Sequence, residues 1–252
     1  MLKLRFIPCL LLKDQGLVKT ISFKKDVYIG DPINAVKIFN EKEVDEIIIL
    51  DIEASKPGRS IQMDHLGEIA SECFMPLCYG GGIKTVTEAL DILSLGVEKV
   101  SINFSAITDP DLITQISEKA GKQSTVVSID VKRSWRGEYN IFNHVLGKSV
   151  GLNPVEYAKK IESLGAGEIL LNSVDCDGAM TGYDLTLISH VANSVKIPVI
   201  VCGGAGSLSD FSKASQIPGV SAVAAGSLFV FQGKHKAVLI NYPPYNTLKE
   251  IS

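Results

Sequence analysis

No stretch of the chain approaches the roughly 18 apolar residues that cross a bilayer, so no membrane span is expected. Strong charge of either sign is missing too. The formal net charge is −3, which offers no footing for nucleic acid or an anionic membrane surface. The cysteines, Cys9, Cys73, Cys78, Cys176 and Cys202, form no C-x-x-C pair. Their odd number, in a chain of 252 residues, points to reduced thiols and a cytoplasmic location. His65, His144, His190 and His235 do not cluster with Cys or acids at ligand spacing, so no metal and no cofactor is expected. A G-x-S-x-G nucleophile turn is absent as well. The apolar start MLKLRFIPCLLL reads as a first strand rather than a signal peptide, because Pro8 interrupts it and no small-residue cleavage site follows.

What is present is material for a large core: 46% hydrophobic and 21% charged residues. Runs rich in Val, Ile and Leu recur at Arg5–Leu11, Glu46–Asp51, Met75–Gly80, Lys99–Ile102, Ser124–Asp130, Glu168–Ser173, Ile197–Cys202 and Ala222–Ala225. Such continuous runs suit strands of a parallel sheet covered on both faces. Amphipathic stretches separate them, with start signals Asp31-Pro32, Asp109-Pro110 and Asn153-Pro154 and terminal Gly121 and Gly165. Eight alternating units predict a single α/β domain over residues 1–252, a (β/α)8 TIM barrel; a doubly wound open sheet is the alternative.

The halves, about 1–122 and 123–240, resemble each other. DEIIILDIEAS parallels GEILLNSVDCDGA, and PLCYGGGIKTVTEAL parallels PVIVCGGAGSLSDFS. Asp175 follows Asp51 by 124 residues, Gly203 follows Gly81 by 122, and Asp130 follows Leu11 by 119. Offsets this close argue for duplicated half barrels and equivalent groups around one mouth.

Barrel sites lie at the C-terminal ends of the strands. Two glycine clusters fall there, Gly80-Gly81-Gly82 and Gly203-Gly204-Ala205-Gly206, where bare backbone can approach an anion. SINFSA, with Asn103, and AAGSLF, with Gly226 and Ser227, end the adjoining strands. The pair of cradles predicts a phosphorylated small-molecule ligand with a phosphate at each end. Between them stand Asp51, Asp130, Asp175 and Asp177. Acids at such strand ends suit acid–base chemistry, or they cap helices and hold loops. Asp130 ends an otherwise apolar strand, so the chemical reading fits it best. Lys19 lies in a 19-residue connection, Leu12–Gly30, long enough for a lid whose lysine reaches a phosphate.

RFIPCLLLKDQGLVK, GDPINAVKIFNEKEVDEIIILDIEAS, PLCYGGGIKTVTEA, EKVSIN, VVSIDVKR, LGAGEILLNSVDCDGAMTGYD and PVIVCGGAG together resemble the cyclase subunit of imidazole glycerol phosphate synthase. The likeness runs from about Lys3 to Phe231. It implies a duplicated barrel with a separate glutaminase docked on the N-terminal face. Ammonia released there passes through the barrel to a bis-phosphorylated ribulosyl substrate at the C-terminal face. The resemblance assigns Arg5, Glu46, Lys99 and Glu168 to a ring that gates ammonia. It assigns Lys19, Gly81, Gly82, Asn103, Asp177, Gly178, Gly203, Gly204, Gly226 and Ser227 to phosphate binding. Leu11, Asp51 and Asp175 fall to the remainder of the pocket.

Two departures stand out. The family ends strands 1 and 5 with catalytic aspartates; Asp130 matches the second, but Leu11 occupies the place of the first. A slip of register does not restore it, because Lys13-Asp14 already match the family's following Lys-Asp, and a three-residue shift reverses the strand face. Losing a positioned acid costs roughly 10²–10⁴-fold in rate. Phe104 stands where a small hydroxyl residue usually follows the cradle asparagine. Three readings follow. The preferred one is a paralogue that keeps glutaminase docking and ammonia passage but supplies a separate amidotransferase in surface-polysaccharide amidation. The others are a genuine histidine-pathway cyclase, and a non-catalytic phosphosugar-binding regulator of a glutaminase.

Overall fold

The computed structural model describes residues 3–233 and 235–251. Its centre is β1 (Arg5–Lys13), β2 (Ile47–Asp51), β3 (Leu77–Gly80), β4 (Lys99–Ile102), β5 (Thr125–Arg133), β6 (Glu168–Ser173), β7 (Val199–Cys202) and β8 (Val220–Ala225). Each pairs in parallel with the next, β8 pairs with β1, and the sheet closes. Closure decides for the barrel over the open sheet. Between the strands run α1 (Pro32–Glu41), α2 (Met63–Ser71), α3 (Val86–Ser94), α4 (Asp111–Ala120), α5 (Pro154–Ser163), α6 (Leu185–Ala192) and α7 (Leu208–Ser215). Among the described residues no helix is long and apolar enough to cross a membrane.

Strand alternation sorts the side chains. On β1, Phe6, Leu10 and Leu12 join the outer layer beneath the helices, whereas Ile7 and Cys9 join the inner cluster with Ile48, Cys78, Val126 and Leu170. Caps act largely where the sequence places them. Asp31 accepts from the Asn34 amide at 2.8 Å, and Asn153 from those of Val155 and Glu156 at 2.9 and 3.3 Å. Asp109 does not cap α4: Pro110 holds the N-cap position, and Asp109 instead ends a short helix, Phe104–Thr108.

The larger difference lies above the barrel. The Leu12–Gly30 connection, read from sequence as a loop, is mostly strand. β1 runs on to Lys13 and pairs antiparallel with Gly16–Ile21, which pairs with Lys24–Gly30. β5 repeats the device, extending to Arg133 and pairing with Tyr139–Asn143. A hairpin therefore rises at the same place in each half, and Phe23 of the first packs on Phe142 of the second with ring centroids 6.1 Å apart. After β8 two short helices, Ser227–Val230 and Tyr245–Lys249, help to complete the shell. There Tyr242 packs on Phe229 and donates its hydroxyl to the Phe6 carbonyl at 3.1 Å.

Candidate functional site

At the N-terminal end of the barrel, side chains from the starts of four strands meet in a ring. Arg5 bonds both Glu46 and Glu168. Lys99 reaches Glu46 at 2.9 Å and Glu168 at 2.9 Å. Each glutamate thus bridges two cations. Burial by itself lowers the pKa of Arg5 and Lys99, but the paired carboxylates outweigh it and raise both. Above the ring lies the apolar inner cluster, narrow in residue size at Ala222, Ala224, Cys9 and Cys78.

At the C-terminal end opens a cavity of about 450 Å³. Both glycine cradles line it, as do Lys19, Asn103, Asp130, Asp177, Gly178, Gly226, Ser227, Leu11 and Asp51. Gly203 shows why glycine is required: at φ +84° an added Cβ would stand 2.4 Å from Asn172 Oδ1. Lys19 sits on a hairpin strand, buried, with Nζ 3.5 Å from Asp177 Oδ1. Thr20 Oγ1 donates to the other Asp177 oxygen at 3.2 Å, which fixes that acid beneath the first hairpin.

Asp130 is the chemical centre of the cavity. Its Oδ1 accepts from Asn172 Nδ2 at 3.0 Å and its Oδ2 from Asn103 Nδ2 at 2.8 Å. Burial pushes its pKa up to about 7 against the pull of those amides, and Asp177 adds to the rise. At neutral pH this carboxyl can give or take a proton. His144 Nδ1 lies 3.9 Å from Asp130 Oδ2, and burial lowers the imidazole's pKa. The oxygens Asn103 Oδ1, Asn172 Oδ1, Ser101 Oγ and Ser227 Oγ are buried without partners and belong to residues lining the cavity. Orphaned polar atoms in a hollow are the mark of a ligand's polar groups or of water.

Leu11 lines the same cavity. Asp14 lies in the hairpin turn at φ +54°, bonded to Arg59 at 2.9 Å, and is absent from the residues around the hollow. Asp14 is therefore not placed in the cavity beside Leu11. The other acids divide. Asp51 touches the cavity, yet its Oδ1 accepts from the Glu53 and Ala54 amides at 2.9 and 3.0 Å, so it holds a loop. Asp175 is exposed, accepts from the Arg133 amide at 2.8 Å and does not line the cavity, which removes it from the expected pocket. Asn172 and His144 escaped the sequence reading. Continuing the inward alternation from Glu168 and Leu170 finds Asn172; His144 follows a hairpin whose strands were not foreseen.

The family described as histidine biosynthesis protein matches residues 5–236. The chain belongs to that family. Within the histidine biosynthesis proteins it stands with the cyclase-type subunits of imidazole glycerol phosphate synthase. A Pseudomonas aeruginosa protein, provisionally named imidazole glycerol phosphate synthase subunit hisF2, is 54% identical over 98% of this chain and 99% of its own. A Vibrio vulnificus protein, provisionally named subunit hisF3, is 52% identical over 96% and 94%. The Hyphomonas neptunium imidazole glycerol phosphate synthase subunit HisF is 43% identical over 92% and 91%.

Proposed function

We propose that the chain is the barrel subunit of a glutamine-dependent synthase that accepts ammonia from a glutaminase docked at the ring face. The ammonia crosses the barrel to a phosphosugar-type cavity, and the pathway served is surface-sugar amidation, through a separate amidotransferase, rather than imidazole formation. Support comes from residues at both ends. The ring, with its two bridging glutamates, presents a charged entrance, and the apolar cluster above it passes neutral ammonia while rejecting ammonium. Exposed Phe74, in the loop before β3, offers an apolar contact for a partner on that face.

The observation that carries the reading is Leu11. Ring closure needs acid and base groups on the two sides of the substrate, and this cavity keeps Asp130 but has a hydrocarbon at the equivalent place on β1. His144, 3.9 Å from Asp130, supports a second reading in which an imidazole stands in for the missing acid and the cyclase reaction survives. Complementation separates the two. The gene is expressed, with its glutaminase partner, in a histidine-requiring strain lacking the cyclase. No growth with folded protein present is expected; growth would overturn the surface-sugar reading.

A further inference from the structure

The two ends of the cavity differ in chemistry, and we infer that it binds a ligand carrying one phosphate, anchored at the β7–β8 end, with an uncharged end against β2–β4. The inference rests on the phosphorylated-ligand reading above and narrows it. Duplication alone predicts a phosphate in each cradle; the side chains say otherwise.

At the β7–β8 end the cradle is equipped for an anion. Ser227 is 4% exposed and its Oγ has no partner. The buried Lys19 ammonium lies against Gly226, where an added Cβ would stand 2.9 Å from Nζ. An ammonium has three N–H donors, and Asp177, at 3.5 Å, engages at most one of them. Gly203 and Gly204 keep the backbone bare beside these groups. Hydroxyl, ammonium and bare backbone together match the three acceptor oxygens of a phosphate.

At the β2–β4 end two of the corresponding donors already have acceptors. The Gly82 amide donates to Ser55 Oγ at 3.1 Å, and Ser105 Oγ to the Ile83 carbonyl at 2.5 Å. Asn103 gives Nδ2 to Asp130 at 2.8 Å, which turns its unpartnered Oδ1 toward service as an acceptor. An acceptor repels phosphate oxygen and suits a hydroxyl or N–H of the ligand. Phe104, Leu50 and Ile83 add apolar wall. Of the other cations lining the cavity, Lys24 and Lys56 are exposed, with Lys56 bonded to Glu53 at 2.9 Å, and half-buried Lys132 lies over the Phe142 ring, 5.2 Å from its centroid. Ser101 Oγ also lacks a partner, but it lies two residues down β4, nearer the barrel interior than the cradle. A second phosphate placed here would be desolvated with no buried cation to meet it.

Calorimetric titration with ribose 5-phosphate and ribulose 1,5-bisphosphate, one and two phosphates on five-carbon sugars, tests this. The wild type is expected to bind the two within about threefold of each other. Phe104→Thr is expected to tighten the bisphosphate about tenfold and leave the monophosphate within twofold; Lys19→Met weakens both about tenfold. A wild-type preference for the bisphosphate of tenfold or more would overturn the inference while sparing the phosphorylated-ligand reading. Binding of neither sugar, nor of inorganic phosphate, to protein shown folded by circular dichroism removes that reading and the inference with it. Should Lys19→Met fail to fold, the wild-type ratio and Phe104→Thr still decide.

Discussion

Replacing Asp130 by asparagine isolates the energetic cost of the buried carboxylate. The folded-state pKa of about 7 lies above the ordinary 3.8. The folded chain therefore holds the proton more tightly than the unfolded chain. The stability this contributes is complete below pH 4 and is lost as pH climbs to 7, after which the loss is constant. A separation of this size is worth about 4 kcal/mol in total, of which roughly 3 kcal/mol falls between pH 5 and pH 8.5. The substituted carboxamide has no such charge to desolvate. Its oxygen still accepts from Asn172, and an amide turn at Asn103 lets the orphaned Asn103 Oδ1 accept from the new NH₂ group. Urea unfolding of both proteins across pH 5–8.5 reads the difference directly; His144 titrates in both, so its share largely cancels. Asp130→Asn should gain on the wild type by roughly 3 kcal/mol over that range. Parallel stability curves would refute the reasoning, because they would place the native carboxyl pKa near its ordinary value.

Two further changes probe the opposite end and the altered strand. Lys99→Ala leaves Glu46 and Glu168 with only Arg5 between them. Breaking a buried pair costs roughly 3 kcal/mol, so urea midpoints should fall accordingly and ammonia transfer from the glutaminase should fail. Unchanged transfer would make the ring structural only. Leu11→Asp buries a further carboxyl in Asp130's cavity, with an expected loss of roughly 2–4 kcal/mol above pH 7 that shrinks below pH 5 as the acid protonates. A loss independent of pH would mean that side chain 11 reaches water.

Strand content and barrel order were legible because inner strands covered on both faces need continuous Val, Ile and Leu, and some of the spacers carried their own start or stop signals. The ring was legible once the resemblance was recognised, since charges at strand starts are otherwise unusual. The hairpins were not. Lys13 to Gly30 is rich in charge and glycine, and its edge strands show no apolar alternation strong enough to tell them from loop. That failure concealed Lys19's burial and His144's approach to Asp130, both of which depend on where a hairpin leans. Asp51 and Asp175 show the other limit. Occupying equivalent places in the repeat predicts where an acid lies along its strand; it does not predict whether its lone pairs are already held by backbone amides.

The ring also has a mechanical meaning. Arg5, Glu46 and Lys99 come from the first half of the chain and Glu168 from the second. Its bonds to Glu168 are therefore stitches across the seam between halves. Losing Glu168 would remove both stitches at once, whereas losing Glu46 would break only bonds within the first half. The ring is thus a side-chain tie between the halves, set beside the strand pairing that joins them.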